Sequence, residues 1–182
     1  MSEQPEPVED GGDRPIATPM DRLREKRRQS LAAPRHLDLP IPGFDGELVA
    51  RYRPLPWGRL VPLIEQSESD DPEESLTAHL HTLVEACAAL MVPDANGELV
   101  SLADELRKDG QEGIHGEVTL GANNNYLSGA LGVPHPDTAR ELVLSVFEGA
   151  ISAEAMVTRH AITFGRWMGS VAEEVDAEVG EG

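Results

Sequence analysis

The residues with the clearest capacity for chemistry are the histidines and the single cysteine. His79 and His81 are two residues apart, the spacing at which a β-strand directs two imidazoles at one metal ion. The pattern around them is helical, however, and side chains two apart on a helix point about 200° away from each other. We therefore expect no metal site at this pair. The other histidines are isolated in the sequence: His36, His115, His135 and His160.

Cys87 is the only cysteine, which excludes an internal disulfide and a multi-cysteine zinc site. Because it falls in an apolar pattern, we interpret it as a small buried hydrophobic residue rather than a nucleophile. The sequence contains no GxSxG turn, Walker loop or dinucleotide-binding glycine motif. The acidic residues 65–74 lack the alternating ligands and the glycine of an EF-hand. These observations predict a protein that is not an enzyme and that needs no metal or other cofactor.

The charge of the chain limits its partners. Acidic residues outnumber basic ones 33 to 15, a formal net charge of -18. A field of that sign disfavours nonspecific binding to nucleic acids and to anionic membranes. No apolar stretch approaches the roughly 20 residues of a transmembrane helix, and the N-terminus has no apolar signal-peptide core. We therefore expect a cytoplasmic protein that binds neither nucleic acid nor membrane.

Composition divides the chain into three parts. Residues 1–35 contain few large apolar residues and predict a flexible N-terminal arm. Within the arm, residues 22–28 read RLREKRR, which we interpret as a solvated strip, with docking to an acidic partner or nucleic acid as the alternative. Residues 36–172 predict an α-rich domain. Residues 173–182 predict an acidic tail that frays.

Two β-hairpins are predicted in the domain. Between residues 36 and 55 apolar residues alternate on either side of Asp45-Gly46, a dipeptide typical of a tight turn. The alternating residues are Leu37, Leu39 and Ile41 before the turn and Leu48, Ala50 and Tyr52 after it. Asn96-Gly97 predicts a second, smaller hairpin, with Val92 before the turn and Leu99 and Val100 after it.

Helical patterns fill most of the remaining domain. A short helix is predicted from Pro56 through Ile64, and a second from an N-cap at Asp71 to about Met91. The apolar stripe of the second helix is Leu76, Leu80, Leu83, Val84, Cys87, Leu90 and Met91. Further helices are predicted around Tyr126, around Val143 and over residues 152–178, with Asn123, Asn124 and Asn125 as a cap or, alternatively, a polar-ligand site. The fold class expected is mainly α (α+β), a helical domain with an N-terminal β-hairpin and a possible second small hairpin.

The last helix has an apolar face that could bind a partner. In an ordinary domain such a face is core, whereas in a chaperone or adaptor part of it contacts a client helix. We take Phe164, Trp167 and Met168 as the candidate partner-binding residues. Leu80 and Leu83 on the preceding long helix are further candidates. A homo-oligomer that forms through the same face is left open.

Four segments of the chain carry a resemblance to a known family. They are LDLPIPGFDGELVARYRPL over residues 37–55, ACAALMV followed by PDANGELVSL over residues 86–102, TARELVLSVFEG over residues 138–149 and ISAEAMVTRHAITFGRWMGSV over residues 151–171. In order and spacing they resemble the tail assembly chaperones of long-tailed, siphovirus-like phages that infect actinobacteria. Trp167 matches a late tryptophan that recurs in that family. Residues 116–131, GEVTLGANNNYLSGAL, depart from the family pattern because they carry less charge.

The resemblance implies a role in virion assembly without catalysis. Proteins of this family bind the long, helical tape measure protein in the host cytoplasm, keep it soluble and help to recruit tail tube subunits. They are often made in two lengths by frameshifting, and this chain would suit the short form. One alternative is a structural virion protein of the head–tail connector or tail. Another is a small enzyme or metal-binding regulator whose site draws on the histidines.

Overall fold

The computed structural model describes residues 18–22, 35–132, 138–149 and 151–180. Contacts divide the chain into two units, Met1–Pro34 and Arg35–Gly182. The first unit is described only at a helical turn, in which the Asp21 carboxylate accepts a hydrogen bond from the Thr18 hydroxyl at 2.6 Å. The predicted flexible arm therefore lies mostly outside the described residues.

The second unit contains one antiparallel sheet of four strands. They are β1 (Leu37–Pro40), β2 (Val49–Tyr52), β3 (Cys87–Pro93) and β4 (Leu99–Ser101), in the spatial order β1-β2-β3-β4. The two predicted hairpins are thus confirmed as β1-β2 and β3-β4. The sequence does not predict that they form a single sheet, which they do because β2 pairs with β3, with Ala50 opposite Leu90.

The turn of the first hairpin has the predicted chemistry. Asp45 and Gly46 have φ angles of 48° and 87°. The amide of Glu47 donates to the carbonyl of Phe44 at 2.8 Å. Positive φ at both central residues is what a type I′ turn requires, and glycine adopts such angles without strain. The residues of the predicted alternating pattern that are fully buried are Ile41, Leu48, Ala50 and Tyr52.

A cross-strand ion pair fixes the register of β1 on β2. Asp38 lies opposite Arg51, and two hydrogen bonds of 2.8 Å join the guanidinium to the carboxylate. The hydrogen bond from Arg51 lowers the pKa of Asp38, partial burial opposing it. Because both side chains are partly exposed, the pair contributes at most about 1 kcal/mol to the free energy of unfolding.

Six helices accompany the sheet in the described part of this unit. Among them, the helix Leu102–Lys108 lies where the sequence carries only weak signals, and the helix Ala153–Gly180 continues past residue 172, the predicted end of the domain. Whether the tail frays stays a prediction. The helices are α1 (Trp57–Ser67), α2 (Pro72–Ala86), α3 (Leu102–Lys108), α4 (Asn125–Leu131), α5 (Ala139–Val146) and α6 (Ala153–Gly180).

Side-chain caps and a glycine mark the ends of three helices. The carboxylate of Asp71 accepts a hydrogen bond from the Glu73 amide at 2.9 Å, which confirms the predicted N-cap of α2. Thr138 and Glu141 form a reciprocal capping box at the start of α5. Gly132, with φ of 64°, ends α4 in the left-handed conformation at the residue predicted from the sequence.

The predicted extension of α2 to Met91 is wrong. The helix ends at Ala86, and Cys87–Pro93 forms β3. The run of apolar residues there fits a helix and a doubly buried strand equally well. Pairing with β2 and β4 settles the choice, and the amide of Leu90 also donates to the carbonyl of Val118 at 2.8 Å. Cys87, Leu90 and Met91 therefore belong to the sheet.

The core lies between one face of the sheet and the helices α2, α5 and α6, with α2 packed against α6. None of the helices in the described ranges is long and apolar enough to cross a membrane. The largest side chains buried at the centre of this unit include Tyr52, Phe147, Phe164, Leu83, Leu90 and Leu127.

The burial of Leu90 in β3 has a measurable consequence. We expect Leu90→Ala to lower the free energy of unfolding by about 3 kcal/mol, because it empties a fully buried position in the sheet. Leu99→Ala, at a position that is 36% exposed on β4, is the control and should cost less than about 1 kcal/mol. Urea unfolding followed by circular dichroism measures both. Equal losses in the two variants would contradict the burial of Leu90.

Candidate partner-binding surface

The structure places the five candidate partner-binding residues mainly in the core. Phe164, Met168, Leu80 and Leu83 are buried. Trp167 is half-buried, with its ring 5.8 Å from that of Phe164. Four of the five residues, on the apolar faces of α2 and α6, are therefore part of the core. A partner would reach them only if the packing of α2 against α6 opened.

An aromatic cluster explains why this face is buried. The chain has only seven aromatic residues by composition, three Phe, two Tyr and two Trp. Tyr52 of β2 and Phe164 of α6 meet with ring centroids 5.8 Å apart. Phe147, which directly follows α5, contacts His160 of α6 edge-on at 4.9 Å. These few large side chains join the sheet, α5 and α6, so α6 cannot offer the same face to a client.

His160 is a structural histidine inside this cluster. It is buried, and its Nδ1 lies 3.5 Å from the Tyr52 hydroxyl, within hydrogen-bonding distance. Burial lowers the pKa of His160 to about 4, although a hydrogen bond to the Pro40 backbone opposes the shift. The imidazole is therefore neutral at pH 7.

Cys87 is buried at the start of β3, as the sequence predicts, although in a strand rather than a helix. Burial raises the pKa of its thiol to about 11. The thiol donates a hydrogen bond to the Ala89 carbonyl, with 3.8 Å between sulfur and oxygen. Because the thiolate is the reactive form, this cysteine is a poor nucleophile at neutral pH.

The paired histidines diverge as expected. His79 and His81 lie on α2, where His79 is half-buried and His81 is exposed. Burial lowers the pKa of His79. Within the described ranges, no group of three or more His, Cys, Asp or Glu residues is placed to hold a metal ion. His135 lies outside those ranges.

The asparagine run begins α4 and also stabilises the preceding loop. The Asn123 side-chain amide donates to the carbonyls of His115 and Glu117 at 2.8 and 2.9 Å. Asn124 occupies the N-cap position of α4, as the sequence predicts. Its side chain makes no capping bond, however, and instead donates to the loop carbonyl of Leu120 at 3.3 Å.

The most exposed apolar helix face belongs to α1. Trp57, Val61 and Ile64 are 52%, 42% and 39% exposed. At 100° per residue, they lie on a strip of the helix about 60° wide, directly beside the buried Leu60. We call these three residues the α1 stripe. The apolar side chains of α1 thus cover more of the helix circumference than the side that packs against α2.

Sequence reasoning missed the α1 stripe although a signal was present. Trp57, Val61 and Ile64 follow the spacing i, i+4, i+7 of an amphipathic helix. The same short helix contains Leu60 and Leu63, which offer a second apolar side. Which side faces the core depends on where α2 packs, and that information is not local.

Carboxylates border the α1 stripe. Glu65 and Glu68 are exposed, and Glu68 continues the spacing of the stripe four residues beyond Ile64. Between Arg59 and Arg107 the sequence contains no Lys or Arg. Arg59 lies near the start of α1, whereas Glu65 and Glu68 lie at its C-terminal end, so that end of the helix carries negative charge.

A concave surface of about 630 Å³ lies between α3 and α4. Leu102, Leu106 and Leu131 form its apolar wall, and Glu105 and Asp109 contribute acidic groups. Its leucines are buried or half-buried, so it exposes less apolar surface than the α1 stripe. The α1 stripe is accordingly the better candidate for partner binding.

Comparison of the chain with protein-family models, with curated proteins and with solved structures finds no significant match. A functional interpretation therefore depends on the residues themselves and on the segment resemblance described above.

The buried imidazole predicts a pH dependence of stability. Below pH 6.5 the unfolded chain protonates His160, whereas the folded chain does not until about pH 4. Stability is therefore lost as the pH falls from about 6.5 towards 4. At pH 5 the loss from this group is about 2 kcal/mol relative to pH 8.

Urea unfolding at pH 8 and pH 5 tests this, with His160→Gln as the comparison. Carboxylates also titrate in this range, so the quantity of interest is the difference between the two proteins. The variant should lose about 2 kcal/mol less than the native chain between the two pH values. An identical pH dependence would mean that His160 is solvated in the folded state.

Proposed function

We propose that this chain is a tail assembly chaperone of a long-tailed phage, acting in the host cytoplasm. It binds segments of the tape measure protein, keeps that protein soluble until the tube forms, and helps to recruit tail tube subunits. The role requires no catalysis and no cofactor. The observation that carries the proposal is an exposed apolar helix face, the α1 stripe, on a domain of strongly negative charge.

The segment resemblance supports the same proposal. The four segments cover 69 of the 135 residues from 37 to 171, and each contains strands or a helix of the structure. Residues 37–55 contain the hairpin β1-β2, and residues 86–102 contain β3-β4. Residues 138–149 contain α5, and residues 151–171 lie mostly in α6. The chain therefore resembles the family along its structural elements rather than in one isolated motif.

The physical requirements of a holdase agree with these features. Such a protein needs apolar surface to contact its client and net charge to keep the loaded complex dispersed. A formal net charge of -18 supplies repulsion between complexes. The side chains with strongly shifted pKa values, Tyr52, Cys87 and His160, lie among core residues, which favours a binding role over a catalytic one.

Co-expression tests the proposal directly. The tape measure protein from the same phage is produced in bacteria alone, with this chain, or with an unrelated acidic protein of similar size. We expect a several-fold increase in soluble tape measure protein only with this chain, and recovery of the two proteins as a complex. Unchanged solubility together with no complex would refute the proposal.

Mass spectrometry of purified phage particles separates the chaperone from a structural virion protein. A chaperone acts before the tail is complete, so its copy number in mature particles should be far below that of the tail tube subunit. A stoichiometric amount that remains after salt washing would assign the chain to the connector or tail instead. Particles that lack the tape measure protein serve as the control for adventitious carry-over.

A further inference from the structure

The α1 stripe is a surface that the packing of the domain leaves unused. Leu60 is buried, whereas the stripe residues Trp57, Val61 and Ile64 remain exposed on the adjoining side of the helix. These residues span about 10 Å along the helix, which is two turns. Apolar anchors at i, i+4 and i+7 are the pattern by which one amphipathic helix contacts another.

The helix that carries the stripe is firmly attached. Leu60 anchors one side of α1 in the core. At its end, the amide of Glu68 donates to the carbonyl of Ile64 at 3.2 Å. The Ser75 hydroxyl on α2 donates to the carbonyl of Ser67 at 2.8 Å. A partner would therefore meet a pre-formed helix and would not have to order it, which reduces the entropic cost of binding.

The charged residues around the α1 stripe indicate which kind of partner it would bind. Glu65 and Glu68 are exposed beside and beyond the stripe. Arg59, the basic residue of α1, lies on the opposite side of the helix at 100° per residue, and its guanidinium is 3.9 Å from the Glu85 carboxylate. A second copy of this chain would bring a like-charged surface against this one, and the repulsion would oppose pairing. A helix with Lys or Arg beside its apolar row would instead have complementary charge.

We infer that the α1 stripe docks an amphipathic helix of a partner polypeptide whose apolar row is bordered by lysine or arginine. This inference rests on the proposed function, in which case the helix belongs to the tape measure protein. Contact through two helical turns buries less area than a stable complex requires, so each contact is weak and reversible. A long client would then be held by several copies of the chain and released as the tube grows.

Fluorescence of Trp57 reports on this contact. In a Trp167→Phe background Trp57 is the only tryptophan. The probes are three 18-residue synthetic peptides: a leucine row bordered by lysine, the same row bordered by glutamate, and a scrambled form of the lysine peptide. We expect the lysine peptide to shift Trp57 emission to shorter wavelength with micromolar affinity. The other two peptides should bind at least about tenfold more weakly.

Paired variants locate the binding surface. Val61→Ser with Ile64→Ser should weaken binding of the lysine peptide at least about tenfold. Ile162→Ser is the matched control, because Ile162 is 46% exposed on α6, away from the stripe in sequence. Glu65→Lys with Glu68→Lys should weaken binding several-fold, whereas Glu98→Lys in the β3–β4 turn should not. Urea unfolding confirms that each variant is folded.

Three results would overturn the inference. The first is equal affinity of the serine double variant and the native chain for the lysine peptide. The second is equally tight binding of the glutamate-bordered or scrambled peptide. The third is a dimer in sedimentation experiments that the serine double variant abolishes, which would make a second copy the occupant.

Co-expression distinguishes failure of this inference from failure of the proposed function. If the native chain neither solubilises the tape measure protein nor forms a complex with it, the proposed function falls, whatever the peptides show. If the native chain and the serine double variant solubilise it equally well, only the α1 stripe is excluded as the docking surface. We expect the native chain and Ile162→Ser to succeed and the serine double variant to fail.

Discussion

The pairing of β2 with β3 is the contact on which the rest of the domain depends. Ala50 lies opposite Leu90 and Val49 opposite Met91, so two local hairpins become one sheet. The chain between these strands forms α1 and α2 and must return to the same sheet. In this connection α2 packs against α6 and α1 packs against α2. The connection thus leaves part of the apolar arc of α1 outside the core.

The scarcity of aromatic residues gives the position of each one more weight. Tyr52, Phe147 and Phe164 lie at the centre of the core, around the neutral imidazole of His160. Trp57, by contrast, is about half exposed on α1. Tryptophan is the side chain that contributes most often to binding energy at protein interfaces. An exposed tryptophan in so aromatic-poor a chain therefore agrees with a surface used for binding.

Local chemistry made much of the fold predictable from the sequence. Asp45-Gly46, Asp71 and Gly132 have conformational preferences that act within a few residues, so a turn, a helix start and a helix end were placed correctly. The apolar run in β3 was misread because its conformation is decided by strands distant in sequence. The burial of the candidate partner-binding residues was not predictable for a related reason: apolar periodicity shows that a helix has an apolar face but not what covers it.

The position of the α1 stripe separates binding from folding. Substitution of Phe164 or Leu83 empties the core, so any effect on a client would be confounded by loss of stability. The side chains of the stripe are exposed, so substitutions there should change the free energy of unfolding little. If the α1 stripe binds a client as proposed, that client can bind and leave without opening α2 from α6. For a chaperone that must release its client as a tube forms, an exposed surface on a stable domain allows rapid exchange, whereas a buried one would couple release to unfolding.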